Sequence, residues 1–348
     1  QRQMFIRDSR ARLQTRRIVC ACRRAAVTLL GSPHRGMNAS RYIKVALVLA
    51  FLIAVPWIWR DNRFITTVFI SALMFGIWGV MYDLQIGYGG LINFGFAGFI
   101  CAGAYGSALA AHHYEINPWL CMLIGAVASG ILGFLTGVVT LRLRGIFVGL
   151  ATWFLAEVLR LTISNTPVYT RGMLGLTVKP LPDVLGLNFS RAELLPYYYL
   201  LLILVIIIFA IAALMVSSRI GLSFKAIRED QLATETLGLS ATKYKLINFT
   251  TACFFTGLIG AYYAHYIGIL TPDTTEFGVP RTVEVLTVAY VGGRGTLWGS
   301  ILAGFILIGF QEYFRQLGAW RLVMYGTLLI AVMIYAPKGL SSFKKYIW

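Results

Sequence analysis

Nine stretches of the chain are apolar over close to the roughly 20 residues that a helix needs to cross a bilayer: 43–59, 64–82, 88–111, 118–141, 146–164, 196–216, 245–268, 296–314 and 321–336. A shorter apolar piece lies at 282–292. In lipid every backbone N–H and C=O must find a partner within the protein, and for runs of this length the helix is the solution. The chain therefore reads as an all-α polytopic membrane protein. Composition agrees. Of 348 residues, 58% are hydrophobic and 13% charged, against roughly 25% charged in a soluble domain. The mean hydropathy is +0.72. These values exclude an ordinary water-soluble enzyme and a disordered chain.

The formal net charge is +17. Residues 1–36 hold nine arginines against Asp8 alone, or +8, which leaves 22 basic and 13 acidic residues, or +9, for the remainder. Such an arm can bind nucleic acid or anionic lipid. Met37, however, is an ordinary start just before the first apolar run. Residues 1–40 are set apart as a basic arm, disordered or extraneous, and no nucleic-acid partner is expected. The membrane domain is placed at 41–340, with a tail at 341–348. The run 43–59 is followed by Arg60, Asp61 and Arg63 rather than by a small-residue cleavage site, so it is an anchor and not a removed signal.

Basic links set the orientation. Arg41 and Lys44 flank the start of the first run, Arg142 and Arg144 sit before 146, and Arg219, Lys225, Arg228 and Lys243 sit in the long link 217–244 with Lys245 just after it. The positive-inside rule puts all three on the cytoplasmic side. The Pro- and Gly-containing link 165–195 then lies outside as an irregular loop. If 282–292 crosses as a short tilted helix, about ten passes place both termini inside. Arg315 and Arg321 then face outward.

Chemistry-bearing motifs are scarce. The sequence has no phosphate loop of the G-x-x-x-x-G-K-[ST] type, no H-E-x-x-H, no G-x-S-x-G and no dinucleotide fingerprint. Neither an enzyme nor a nucleotide-binding chain is indicated, and no metal site. Cys101, Cys121 and Cys253 read as packing residues and His112–His113 as an interfacial pair. Asp83 and Gln85 are expected to be solvated at a membrane edge. Gly87–Gly106 is rich in glycine, either for close helix packing or for backbone breaks around a cavity; Asn93 lies within it. Glu157 and Arg160 stand at i,i+3, so they can face each other. They are either a polar element of a solute path or a pair that docks a neighbouring helix.

The link 217–244 is the longest of the links placed on the cytoplasmic side. Leu222, Ala226 and Ala233 fall on one helical face, with Ile227 and Leu237 beside it. Gly238 is placed as a helix C-cap, and a second helix is expected from about Ser240. A helix–turn–helix of this kind is made to dock something; the alternative is a surface helix resting on the bilayer. Residues Ala226-Ile-Arg-Glu-Asp, Ala233 and Leu237-Gly238 resemble the coupling loop of ABC importer permeases, in the wording of the branched-chain amino acid family. Thr140-Leu-Arg-Leu-Arg-Gly145, the Gly87–Gly106 run, Arg171-Gly-Met-Leu-Gly175, Gly292-Gly-Arg-Gly-Thr-Leu-Trp-Gly299 and Pro337-Lys-Gly-Leu340 are similar to segments of that family, in that order.

Three departures stand out. Leu232-Ala233-Thr234 replaces a Glu-Ala-Ala core, Phe96 stands where histidine is frequent, and Arg171 replaces a glycine.

The resemblance implies a bacterial inner-membrane permease subunit for small amino acids. Its partners would be a second related permease, two ATPase subunits and a periplasmic binding protein. ATP and Mg would be held by those ATPases, with no cofactor in this chain. It implies that Lys225, Arg228, Glu229, Asp230, Ala233 and Gly238 serve ATPase coupling. Asn93, Phe96, Thr152 and Glu157 are the expected solute-path residues. The alternatives are a permease of the same family for urea, short amides or aromatic acids, and a self-contained secondary transporter or channel. That last class needs ionisable groups buried mid-helix, for which Glu157 is the single serious candidate.

Overall fold

A computed structural model describes residues 62–314, apart from 141, 142, 144, 184–188 and 190–192, together with scattered positions within 50–57 and 323–339. The apolar runs 43–59 and 321–336, the basic arm, Arg142, Arg144 and the tail fall largely or wholly outside these residues. The helices are α1 (Arg63–Asp83), α2 (Phe96–His113), α3 (Pro118–Thr140), α4 (Ile146–Ser164), a short α5 (Pro167–Thr170), α6 (Leu195–Ser217), α7 (Arg219–Glu229), α8 (Gln231–Thr236), α9 (Ala241–Ile267), a short α10 (Thr274–Phe277), α11 (Val279–Gly292) and α12 (Leu297–Tyr313). Two strands, β1 (Leu176–Thr177) and β2 (Ile269–Leu270), pair antiparallel, Leu176 opposite Leu270.

Among the described residues, five helical segments are long and apolar enough to cross a membrane: Arg63–Tyr88, Pro118–Thr140, Ile146–Ser164, Leu195–Ser217 and Ala241–Ile267. Thr274–Gly292 and Leu297–Tyr313 form a further pair, bent by 120°. The apolar piece 282–292 is thus the end of a longer segment that starts at Thr274, breaks at Gly278 and includes Arg281 and Glu284. Nineteen residues from Thr274 to Gly292 rise about 28 Å at 1.5 Å each. The expected helix 88–111 begins only at Phe96, because a π turn (Leu84–Tyr88) and a non-helical stretch precede it. Link 165–195 is not wholly irregular: it carries α5, a 3-10 turn at Gly172–Leu174 and β1.

The centre of the fold is the packing of α2, α3 and α9. Its reason is small side chains. A methyl group on Gly103 would lie 2.1 Å from the Gly257 carbonyl oxygen, and one on Gly125 would lie 2.3 Å from that of Gly103. Ser129 Oγ is within hydrogen-bond distance of the Phe99 and Cys253 carbonyls, at 2.9 and 2.8 Å. Without a hydrophobic drive between helices in lipid, close backbone approach and such bonds provide the attraction. The glycine-rich stretch therefore does two things. Its helical part, from Gly98 onward, packs; its first part, Gly87–Gly90, departs from the α-helix.

The bundle has two polar ends. One holds Glu115, Lys179 and the β1–β2 ladder, with Lys179 Nζ 3.0 Å from Glu115 Oε1 and His113 Nε2 3.0 Å from the Tyr169 carbonyl. At the other, α7 meets the π turn and the turn between α11 and α12. Replacing Gly103 with valine should overpack the three-helix centre, which costs about 1–3 kcal/mol, whereas Gly309→Ala meets nothing within 4 Å. Thermal unfolding of detergent-solubilised protein should show a lowered midpoint for the first and an unchanged one for the second.

Candidate functional site

The link between α6 and α9 is a long, charge-rich insertion between two described spans, and its docking defines the candidate site. Asp230 leaves helical geometry (φ −150°, ψ 106°) and its Oδ1 accepts the Ala233 N–H at 3.1 Å, capping α8. The single helix expected to run up to Gly238 is therefore two, broken at Asp230. Gly238 has φ +88°. Its N–H bonds to the Glu235 carbonyl at 3.0 Å, and the Leu239 N–H to the Thr234 carbonyl at 3.4 Å. That is a Schellman closure, and it belongs to α8. Ser240 starts α9 as expected, without a side-chain cap.

Gly221, Phe224 and Ile227 turn α7 inward. Leu222, Leu232 and Leu237 are 52%, 72% and 82% exposed, and Ala226 and Ala233 are exposed with them. Ile227, expected on the flank of the docking face, is buried instead. Lys225, Arg228, Glu229 and Asp230 are exposed as residues, yet two of them reach the bundle. Lys225 Nζ lies 5.5 Å from the centre of the Tyr88 ring, and Arg228 Nη1 donates to the Gly87 carbonyl.

Beneath these contacts is a buried polar joint. Asp83 and Gln85, expected to be solvated, are fully buried. Asp83 Oδ1 accepts the Gly295 N–H at 2.7 Å, and Tyr88 Oη donates to the Gly295 carbonyl at 2.7 Å. Asn248 Nδ2 donates to the Leu84 carbonyl at 2.9 Å. The Leu91 N–H donates to the Gln85 carbonyl at 2.9 Å. Backbone that has left the α-helix is thus satisfied by side chains, as buried polar groups must be. The sequence suggests the wrong environment for Asp83 and Gln85, and it shows Gly295 and Tyr88 only as members of the glycine-containing segments 292–299 and 87–106. The signal for Tyr88, Asn248 and Gly295 was weak: polar groups and glycines at the ends of apolar runs.

The four expected solute-path residues are placed as follows. Asn93 is buried, donates to Gln85 Oε1 at 3.0 Å and accepts the Gly95 N–H at 3.0 Å. Phe96 is buried edge-on to Tyr82, ring centres 5.4 Å apart. Thr152 Oγ1 donates to the Gly149 carbonyl at 2.8 Å. A methyl on Gly95 would lie 2.1 Å from the Thr152 carbonyl oxygen, so α4 packs closely on the approach to α2 at this point. Glu157 stands apart and pairs with Arg160, whose Nη1 donates to the Pro272 carbonyl at 3.1 Å.

Glu157 is not the only ionisable candidate inside the bundle. Arg281 Nη1 lies 3.2 Å from Glu284 Oε2, Gln311 Nε2 donates to Glu284 Oε1 at 3.0 Å, and the Arg281 guanidinium lies 5.1 Å from the centre of the Phe75 ring. These charges were missed because a search for apolar runs stops at them. Arg171, standing where the resemblance expects glycine, has the left-handed φ of +56°. Among the described residues no cluster of three or more His, Cys, Asp or Glu side chains could hold a metal.

A family model described as the permease component of the branched-chain amino acid transport system matches residues 64–336. The high-affinity branched-chain amino acid transport permease LivM of Escherichia coli K12 is 30% identical over 318 residues, covering 85% of this chain and 74% of LivM. LivM of Salmonella typhimurium LT2 is 29% identical over 319 residues, with the same coverage. The autoinducer 2 import permease LsrC of Yersinia pseudotuberculosis is 25% identical over 222 residues, covering 61% of this chain and 62% of LsrC. No solved structure matches.

Gly238 offers a direct test of the link. A β-branched residue there should cost about 1–2 kcal/mol for its positive φ, with nothing within 4 Å to obstruct it. Gly238→Val should lower the thermal unfolding midpoint of the detergent-solubilised protein, and Gly238→Asn, which tolerates positive φ, should leave it nearly unchanged. An unchanged midpoint in the valine variant would contradict the closure at Gly238.

Proposed function

Because the chain belongs to the branched-chain amino acid transport system permease family, we propose that it is the membrane-spanning permease subunit of an ATP-binding-cassette importer for small aliphatic amino acids. It hydrolyses nothing itself. Two ATPase subunits, holding ATP and Mg, dock on 217–244; a second related permease completes the membrane unit; a periplasmic binding protein delivers the solute. The observation that carries the reading is the outward apolar set Leu222, Leu232 and Leu237 on a link that otherwise has polar neighbours. Apolar side chains exposed together at the polar end of a bundle call for a protein partner. Lys225, Arg228, Glu229, Asp230, Ala233 and Gly238 are the coupling residues of that surface, and Asn93, Phe96, Thr152 and Glu157 flank the solute path.

In this reading the domain 41–340 crosses the bacterial inner membrane about ten times. The link end is cytoplasmic, as are both termini with the arm 1–40 and the tail 341–348. Closure of the ATPases moves the link, and the helices alternate between two states that the solute and ATP bind differently. The permease need not hold its solute tightly, since tight binding would slow release.

Two measurements test this. Single cysteines at Leu174, Ser240 and Ser342 in a cysteine-free background should react with a membrane-impermeant thiol reagent in intact cells at Leu174 alone; labelling at Ser342 would reduce the crossings by one. In proteoliposomes, labelled leucine should enter only when all subunits and ATP are present. Competition by urea, a short amide or an aromatic acid but not by leucine would assign the chain to another solute within the family. Uptake by the chain alone, without ATP, would make it a self-contained transporter using Glu157 or Glu284.

A further inference from the structure

The link is joined to the bundle most distantly in sequence through Arg228, whose hydrogen-bond acceptor is 141 residues away. Resting on the functional reading above, we infer that Arg228 fastens the link to the π turn and to the 293–296 turn as one rigid joint. A displacement of α7 and α8 is then delivered to the ends of α1 and α12.

Three sets of contacts make the joint. First, Arg228 Nη1 donates to the Gly87 carbonyl, which belongs to the π turn. The stem of the same side chain lies on Gly90, where φ is +66°; a methyl there would fall 2.9 Å from Arg228 Cγ and 3.5 Å from its Cβ. The guanidinium is thus bonded at its tip and seated along its length. Second, the π turn is locked to the 293–296 turn by two bonds of opposite sense to one residue. Gly295 donates its N–H to Asp83 and accepts from Tyr88. A methyl on Gly87 would lie 2.4 Å from the Gly295 nitrogen, so the two backbones touch. Two antiparallel bonds fix rotation as well as separation. Third, Asp83 is fully buried at the joint, where its carboxyl group lies within electrostatic reach of Arg228 and Arg294. Lysine would keep the charge but not the planar donor fork.

Arg228 is a positioning residue in this account, so its test must separate coupling from assembly. The chain is reconstituted with its partner subunits in proteoliposomes, with binding protein and leucine as the probe. In Arg228→Cys, leucine-stimulated hydrolysis should fall about tenfold relative to the wild-type assembly, as expected for losing a charge-assisted bond. Gly90→Cys added to it brings two Cβ atoms to the 3.5 Å separation that a disulfide accepts. Oxidation of the double variant should restore stimulation, and reductant should abolish it again, because a covalent tie replaces the guanidinium. Full stimulation in Arg228→Cys, or an oxidised double variant that stays uncoupled, overturns the inference. Tyr88→Phe removes only the bond to the Gly295 carbonyl and should reduce stimulation in the same assay; stimulation equal to wild type overturns the two-bond lock, even if Arg228→Cys fails to assemble. An absence of leucine stimulation in the wild-type assembly overturns instead the functional reading on which the joint rests.

Discussion

The bonds from Gly295 to Asp83 and Tyr88 are the constraint that the rest of the structure depends on. A chain this apolar can afford non-helical backbone only where side chains replace the missing helix bonds. Between Leu84 and Gly95, and again between Gly293 and Thr296, the backbone leaves the α-helix inside the protein. The two irregular segments meet and satisfy each other, with Asn248, Gln85 and Asn93 completing the set. An unsatisfied buried amide costs roughly 1–3 kcal/mol by protein measurements, so these side chains hold the segments in one arrangement.

That arrangement explains why the link can matter to distant helices. The α1 helix ends in the π turn, and α12 starts just after the 293–296 turn. Along the bundle the two helices pack closely: a methyl on Gly304 would lie 2.8 Å from Gly76 Cα. A movement delivered at their joined ends has no slack in which to dissipate. The charged pairs Glu157–Arg160 and Arg281–Glu284 serve α10 from both sides, since Arg160 donates to the Pro272 carbonyl and Arg281 Nε to the Glu276 carbonyl at 3.3 Å. Each pair is neutral as a unit, which makes it tolerable among apolar helices.

The sequence was legible where one physical signal dominates. Runs of apolar residues gave α3, α4 and α6 nearly to the residue, because length and hydropathy in a bilayer leave no other structure. The link was visible as a polar stretch between two such runs, with Leu222 and Leu237 on or beside its expected apolar face; the exposure of Leu232 was not. The π turn was not visible, since most of Leu84–Tyr88 falls in the gap between the runs 64–82 and 88–111, where Asp83 and Gln85 suggest a solvated edge. Asp83 was read as solvated because its partner, Gly295, lies 212 residues away. Asp230 carries two signals at once, a surface charge and an N-cap; the first masked the break between α7 and α8. Arg281 and Glu284 were excluded by a search for uncharged runs, although a paired charge is compatible with a packed helix.

The central claim, that the link moves with the ends of α1 and α12, is tested most directly by a distance. Spin labels at Arg219, on the exposed first turn of α7, and at Trp298, 48% exposed at the start of α12, can be measured in the assembled transporter at rest and trapped with ATP. A second pair at Arg219 and Val139, on the exposed face of α3, reports movement against the bundle centre. The account predicts an unchanged Arg219–Trp298 distance while the Arg219–Val139 distance shifts. A change in the first distance between the two states, with α7 separating from α12, would contradict it.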